Sequence, residues 1–184
     1  MTHLSYHLIL YLYTEVLNLM ILRKALQSEA DVCYSCIEDA KAFQREQGFV
    51  QWHDGYPTVK TIEEDIQKGI GFVVCEDDDI LGYLAIILGD DPDYCHIDGS
   101  WKTDRAYGVV HRMAFRKHSR GKGLAKMVFQ MIKEYCLSHG IDAIRIDTQK
   151  ENKIMQRVIQ GSGFDYCGIV VVDNGPKLAY EWDN

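Results

Sequence analysis

The 184-residue sequence has little proline, no low-complexity tract and no surplus of positive charge. Three prolines and the absence of a long Ser/Gly segment exclude an extended flexible linker or a disordered tail. A net charge of −7 argues against general nucleic-acid or membrane binding, because both surfaces attract an excess of Lys and Arg. The apolar content of 47% is ordinary for a globular protein, and the length predicts one domain.

The first nineteen residues contain no Lys or Arg and therefore lack the positive start of a secretory signal peptide. The apolar run from Leu8 to Tyr13 is too short to cross a bilayer. Two interpretations of residues 1–19 stay open: an over-extended start before Met20, or an ordered, helical extension that packs on the domain or on a second subunit. Residues 20–184 form the predicted single domain. Oligomeric state stays open, and the extension and the C-terminal strand pair are the two candidate surfaces for a homodimer.

Six cysteines are scattered through apolar segments, which is typical of reduced, buried thiols in a cytoplasmic protein. Cys33 and Cys36 form one C-x-x-C within a helical pattern. No second Cys or His pair stands at metal-binding spacing, so neither a zinc site nor a redox motif is favoured. The sequence predicts no metal.

Apolar periodicity and glycine positions predict a mixed sheet with helices on both faces, in the order β-α-α-β-β-β-α-β-α-β-β. Ser28 is the predicted cap of the first helix. The predicted strands are 20–25, 70–77, 80–88, 106–116, 143–149, 164–172 and 177–182, and the predicted helices are 28–47, 58–68, 121–139 and 152–160. Residues 49–57 and 89–105 are predicted loops.

A glycine-rich, positive segment directly follows the strand 106–116. Gly121 and Gly123 precede an amphipathic stripe that predicts one buried helix face: Leu124, Met127, Val128, Met131, Ile132, Tyr135 and Cys136. The stretch from Arg105 to Lys133 has no Asp or Glu but eight of the chain's 20 Lys and Arg residues. Free amides at a helix start, approached closely over glycine, favour an anion such as phosphate. A solvated basic face is the alternative.

The sequence R-G-K-G-L-A at 120–125 is similar to the R/Q-x-x-G-x-G/A signature of the GNAT superfamily of N-acetyltransferases. The strand before it, the strand IRIDT after it, Asn152 and the pair Gly163–Phe164 stand in the same order as in that family. The resemblance covers about nine-tenths of the chain. It implies an α/β fold with a mixed, mostly antiparallel sheet of about seven strands, splayed at its middle.

The resemblance also implies acetyl-CoA as co-substrate. In this family the pantetheine arm lies between two splayed strands, here 106–116 and 143–149, and contacts an asparagine that matches Asn152. The backbone of the first strand at Met113, Ala114 and Phe115 would bind this arm, and an N–H near Met113 or Ala114 would polarise the thioester carbonyl. The implied pyrophosphate site is the segment Arg120, Gly121, Lys122, Gly123, Leu124 and Ala125.

Direct attack by an amine on the acetyl carbon needs a base that takes up the amine proton. A strong general acid is less important, because the CoA thiolate leaves tolerably without a proton. His111 is the candidate base because it shares strand parity with Met113 and Phe115 and because imidazole titrates near neutral pH. A structural histidine bonded to a neighbour is the alternative. Many relatives place an acidic tyrosine seven residues after the asparagine, where this chain has Ile159. Tyr166 or water is the substitute.

Aromatic and acidic loops suit a small cationic acceptor. Trp52 and Tyr56 in one predicted loop and Trp101 in the other are the candidate acceptor-binding residues. The alternative for Trp52 and Trp101 is that they only seal the sheet edge.

The residues and the resemblance together favour an N-acetyltransferase acting on a small-molecule or protein amine. A non-catalytic acyl-CoA-binding sensor is the alternative that Ile159 keeps open. A nucleic-acid binder is disfavoured, because the basic segment has no interleaved aromatic stacking residues.

Overall fold

The computed structural model describes residues 20–172 and 175–184. Residues 1–19 lie outside the described part, so neither interpretation of the N-terminal segment is tested. The helices are α1 (Ala30–Glu46), α2 (Val59–Gln67), α3 (Leu124–Ser138) and α4 (Lys153–Gly161). The strands are β1 (Met20–Lys24), β2 (Gly71–Glu76), β3 (Asp79–Leu88), β4 (Ile97–Gly99), β5 (Gly108–Phe115), β6 (Ala143–Thr148), β7 (Asp165–Val172) and β8 (Gly175–Asp183).

These strands form one sheet in the order β1-β2-β3-β5-β6-β8-β7-β4, in which only the β5–β6 pair is parallel. The predicted mixed, mostly antiparallel sheet is therefore confirmed. The β5–β6 register covers only Gly108–Val110 against Ile144–Ile146, so the two strands separate beyond Val110 as the resemblance implied. No helix in the described ranges is long and apolar enough to span a bilayer.

The sheet has eight strands because part of the predicted 89–105 loop is β4. This short strand pairs with β7, where Gly99 lies opposite Gly168. An added Cβ on Gly99 would lie 2.2 Å from the Cys167 carbonyl oxygen, so the close approach of these two strands needs glycine. Three residues are too few to show an alternating pattern, which is why the sequence did not reveal this strand.

Each face of the sheet has its own apolar core. Helices α3 and α4 pack on one face through Val128, Ile132 and Ile159, and helices α1 and α2 pack on the other through Ile37 and Ile62. The predicted stripe on α3 is largely correct, but Met127 is 50% exposed and Phe129, which the pattern omitted, is fully buried. The predicted Ser28 cap is wrong: α1 begins at Ala30, and the Glu29 carboxylate accepts the Leu26 N–H instead.

Strand β5 contains a β-bulge at Arg112. Tyr83 and Ala85 of β3 pair with Ala114 and His111, so β5 has one extra residue between the two pairs. The extra residue is Arg112, and its φ of 55° is unusual for a residue other than glycine. The bulge resets the alternation, so His111 faces the same side as Ala114. The predicted parity of His111 with Met113 and Phe115 is therefore wrong.

A buried ion pair holds the bulge in place. The Arg112 guanidinium donates two bonds of 2.8 Å to Asp65 on α2 and a third, of 2.9 Å, to the Tyr56 hydroxyl. The Tyr83 hydroxyl also donates to Asp65 at 2.8 Å. The network thus ties β3, β5, α2 and the 49–57 loop together at one point.

We expect Asp65→Asn to lower the free energy of unfolding by about 3 kcal/mol, because it leaves the buried Arg112 charge without its counter-ion. Urea unfolding at neutral pH measures the effect. Glu63→Gln, an exposed position on the same helix, is the control and should change stability by less than about 0.5 kcal/mol. An Asp65→Asn protein as stable as wild type would show that the pair does not hold the bulge.

Candidate functional site

Two cavities meet where β5 and β6 separate. The first, here called the sheet cavity, has a volume of about 240 Å³ and lies between the 49–57 loop and strands β5, β6 and β8. The second, here called the helix groove, has a volume of about 750 Å³ and lies between α1, the end of β5 and the starts of α3 and α4. Both are bounded by Gln44, Met113, Asn152 and Met155, so a ligand in one would touch a ligand in the other at these four residues.

The glycine-rich loop forms one end of the helix groove. Gly121 and Gly123 have φ of 78° and 73°, and an ideal Cβ on either would meet open space. Their requirement for glycine is therefore conformational, and it leaves the backbone open to a ligand. Helix α3 begins at Leu124, three residues later than predicted, with Gly123 as its N-cap residue. The first-turn amides consequently have no capping side chain.

Most of the predicted residues of the glycine-rich loop line the helix groove, and one is exposed on the surface. Arg120, Gly121, Gly123, Leu124 and Ala125 line the helix groove. The Arg120 guanidinium, however, donates to the Phe115 carbonyl at 3.1 and 3.2 Å and lies 4.9 Å from the centre of the Phe43 ring. Its charge is thus held by the protein itself. Lys122 is exposed and does not line the groove. The sequence did not single out Lys126 or Arg157, which do line it.

Met113, Ala114 and Phe115 also line the helix groove, beyond the last β5–β6 pair at Val110. Asn152 lies at the junction of the two cavities and caps α4: its Oδ1 accepts the Met155 N–H at 3.1 Å. Its Nδ2 donates to Gln51 in the 49–57 loop at 3.2 Å. This amide therefore joins the start of α4 to the loop that covers the sheet cavity.

His111 lines the sheet cavity and is oriented by a buried carboxylate. Its Nε2 lies 2.7 Å from Oδ2 of Asp91, whose side chain is 8% exposed. The bond from His111 and, more weakly, the Asp93 amide hold the pKa of Asp91 below its ordinary value. An ionised Asp91 accepts the Nε2 proton, so the neutral imidazole carries its lone pair on Nδ1. His111 is thus bonded to a neighbouring side chain, as the alternative had it, and this bond leaves Nδ1 able to accept a proton.

The comparisons with known proteins agree with this arrangement. The family model described as "Acetyltransferase (GNAT) family" matches residues 36–164, which is more than half of the chain. The chain belongs to the GNAT family of acetyltransferases.

Solved GNAT structures resemble the whole described domain. A GNAT-family acetyltransferase from Streptococcus agalactiae is 36% identical, with a TM-score of 0.82 over 90% of this chain and 95% of its own. One from Listeria monocytogenes is 19% identical, with a TM-score of 0.70 over the same shares of the two chains. The aminoglycoside acetyltransferase AAC(6′)-Ib, solved with coenzyme A and kanamycin, is 18% identical, with a TM-score of 0.66 over the same shares. The comparison with curated proteins found no match.

Two of the three predicted acceptor residues line the sheet cavity of this GNAT protein. Trp52 is 7% exposed and Tyr56 is half-buried, and both belong to its wall. Trp101 is not part of either cavity: its indole N–H donates to the Tyr94 carbonyl at 3.2 Å and its ring stacks on Arg145. Trp101 therefore packs on Arg145 of β6 and does not reach the acceptor side of the sheet cavity.

Tyr166, the candidate acid, lies outside both cavities. Its side chain is 52% exposed and contacts Tyr180 edge-on. Ile159 is fully buried in the α3–α4 core. Neither position offers a proton at the cavity junction, so no side chain is assigned as the acid.

Several residues that shape the site gave no signal in the sequence. Gln44 looks like a solvent-facing helix residue, yet its Oε1 accepts the amides of Gln51 and Trp52 at 3.0 and 3.1 Å. Asp91 lies in a predicted loop twenty residues before His111. In the sequence Asp147 is only one residue of an alternating strand, yet it lines the sheet cavity and accepts a hydrogen bond from the Tyr94 hydroxyl at 2.7 Å.

The buried thiols carry no evident chemistry. Cys33 and Cys36 are both fully buried on α1, and burial raises the pKa of each thiol to about 12. A thiol with so high a pKa is a poor nucleophile and a poor metal ligand at neutral pH. Within residues 20–172 and 175–184, no three His, Cys, Asp or Glu side chains cluster as a metal site requires.

We expect Asp91→Asn to destabilise the protein by about 1–2 kcal/mol at pH 7. Because the pKa of Asp91 is lowered by folding, its ionised form stabilises the native state above about pH 4 and loses that effect as the pH falls further. Thermal unfolding from pH 7 to pH 3 should show the two proteins converging at the acid end. The exposed neighbour Asp90→Asn is the control, and a difference independent of pH would contradict the assigned charge state.

Proposed function

We propose that the protein is an acetyl-CoA-dependent N-acetyltransferase that acetylates a small amine by direct attack. The observation that carries this proposal is the meeting of the helix groove and the sheet cavity at the β5–β6 separation. One ligand can enter from each side and touch the other only at the junction. Such a site brings two reactants together without a covalent enzyme intermediate.

The helix groove suits coenzyme A. The open glycine loop and the uncapped amides of α3 offer donors for a pyrophosphate, and Lys126 and Arg157 add positive charge on the same wall. The stretch of β5 at residues 111–115 pairs with β3 but not with β6, so its edge toward β6 offers backbone groups to an amide-bearing arm, as an added strand would use them. Asn152 lies where this arm would reach the junction. Acetyl-CoA would supply the acetyl group as a thioester.

The sheet cavity suits a small acceptor. Its volume of about 240 Å³ is below the roughly 300–1,000 Å³ of sites for drug-sized ligands. We infer a small molecule, or one terminal group, rather than a folded protein surface. Trp52 and Tyr56 provide an aromatic wall for the acceptor, and the carboxylates of Asp93 and Asp147 give the same cavity a negative charge that suits a cationic amine.

His111 is the proposed base. With Nε2 committed to Asp91, its Nδ1 accepts a proton from the acceptor amine as the nitrogen bonds to the acetyl carbon and the carbon–sulfur bond breaks. A backbone N–H near Met113 or Ala114 stabilises the oxygen charge that develops. The CoA thiolate leaves without a proton from a side chain and takes its proton from water, since no acid is assigned. Neither the family match nor the geometry tests these roles, so each needs an experiment.

The first experiment places the coenzyme. Gly123→Asp should weaken binding of acetyl-CoA and CoA at least tenfold, because its carboxylate would lie against the phosphates. Gly140→Asp is a matched control at the other end of α3, where φ is 74° and an added Cβ also meets open space. Calorimetry measures both. Equal affinity in the two variants would contradict a pyrophosphate at the glycine loop, and no binding by wild type would refute the proposed function.

The second experiment tests the base. His111→Gln should lower kcat by about a hundredfold or more. It should leave the affinity for acetyl-CoA nearly unchanged, because His111 does not line the helix groove. His96→Gln, an exposed histidine on the neighbouring loop, is the control. A variant with the wild-type kcat would exclude His111 as the base. CoA binding without turnover across a broad amine panel would instead favour the non-catalytic sensor.

A further inference from the structure

Lys177 places a buried ammonium at the wall of the sheet cavity with no hydrogen-bond partner among residues 20–172 and 175–184. It lies on β8, is 2% exposed and lines the cavity beside Asp147. Its Nζ makes no hydrogen bond, and no carboxylate of the described residues comes within 4.0 Å of it. Burying an ammonium in this way costs free energy, because water is lost and nothing replaces it.

The neighbouring groups leave this charge available. Burial lowers the pKa of Lys177, and the carboxylates of Asp147 and Glu151 oppose that effect from a distance. Asp147 is itself held by the Tyr94 hydroxyl at 2.7 Å. The other cationic side chain that lines the cavity, Arg112, donates three hydrogen bonds, two to Asp65 and one to Tyr56. Lys177 is thus the cation on this wall whose donors are not used.

The sheet places Lys177 in line with the proposed base. Val110 pairs with Ile146, so His111 and Asp147 follow on neighbouring strands and on one face. Asp147 pairs with Ala179, and Lys177 is two residues from Ala179 on the same face of β8. Two strand spacings, roughly 10 Å, separate β5 from β8 where the strands are paired, and the separation of β5 from β6 beyond Val110 widens this gap. His111 and Lys177 nevertheless line the same cavity of about 240 Å³, so one small molecule can contact both.

We propose that Lys177 is an anion-binding subsite and that the acceptor is a small amine that also carries a carboxylate, as amino acids do. The inference rests on the proposed function and adds the substrate class. A single lysine matches the single charge of a carboxylate. A phosphate dianion would need more donors and would be repelled by Asp93 and Asp147 on the same cavity wall.

The test uses amino acids of graded chain length, each beside its own carboxamide, with the full-length protein and acetyl-CoA. In wild type, kcat/KM should be at least about tenfold higher for the acid of the best pair, as expected for a charged hydrogen bond. Lys177→Met, which keeps the length of the side chain, should bring the ratio of acid to amide close to one. Lys60→Met on the surface of α2 is the control and should keep the wild-type ratio.

A second measurement needs no substrate. Lys177→Met removes an unpaired buried charge, so its Tm should be equal to or a few degrees above that of wild type. A clearly lower Tm would show that the ammonium has a stabilising partner and would overturn the inference.

The remaining outcomes separate the inference from the proposed function. Acetylation of acids and amides at equal rates, or a preference that survives Lys177→Met, overturns the inference and leaves the acetyltransferase intact. Acetylation of Lys177 itself, detected by mass spectrometry after incubation with acetyl-CoA, also overturns it, since a modified lysine is an acceptor and not an anion site. Failure of every amine refutes the proposed function, and the inference falls with it.

Discussion

The ion pair between Arg112 and Asp65 is the constraint on which the site depends. A residue with a side chain at φ of 55° costs roughly 1–2 kcal/mol. Two bonds of 2.8 Å to a buried carboxylate offset this cost in the folded state. The bulge that this pair accompanies separates His111, which faces Asp91, from Met113, which packs with the α3–α4 core.

The bulge explains how residues of one strand, β5, line both cavities. Before it, His111 faces the side on which Asp147 and Lys177 also lie. After it, Met113 and Phe115 pack with the α3–α4 core, and the same stretch borders the helix groove. The separation of β6 beyond Val110 opens the sheet at this position. The two reactants proposed for this protein can therefore approach β5 through the two cavities and meet at the junction beside its bulge.

The parts that could be predicted are those whose cause is local. The glycines at 121 and 123, the apolar face of α3 and the succession of elements along the chain other than β4 follow from backbone freedom and periodicity within short windows. The face of His111 relative to Met113 could not be predicted, because it depends on a bulge at Arg112, whose partner Asp65 lies on a distant helix. Asp91 and Gln44 likewise act through contacts between segments distant in sequence. The acceptor wall was thus predicted only in its aromatic part, Trp52 and Tyr56.

The pairing of charged side chains in the sheet cavity bears on which acceptors it can select. Arg112 has Asp65, His111 has Asp91, and Asp147 has the Tyr94 hydroxyl, so these polar groups are fixed before any acceptor arrives. Fixed groups lose little entropy on binding and therefore discriminate strongly between acceptors. Lys177 differs from them because its protein contacts leave its donors unused. A ligand that brings an anionic group to the Lys177 ammonium should therefore bind more tightly than an otherwise identical ligand without that group.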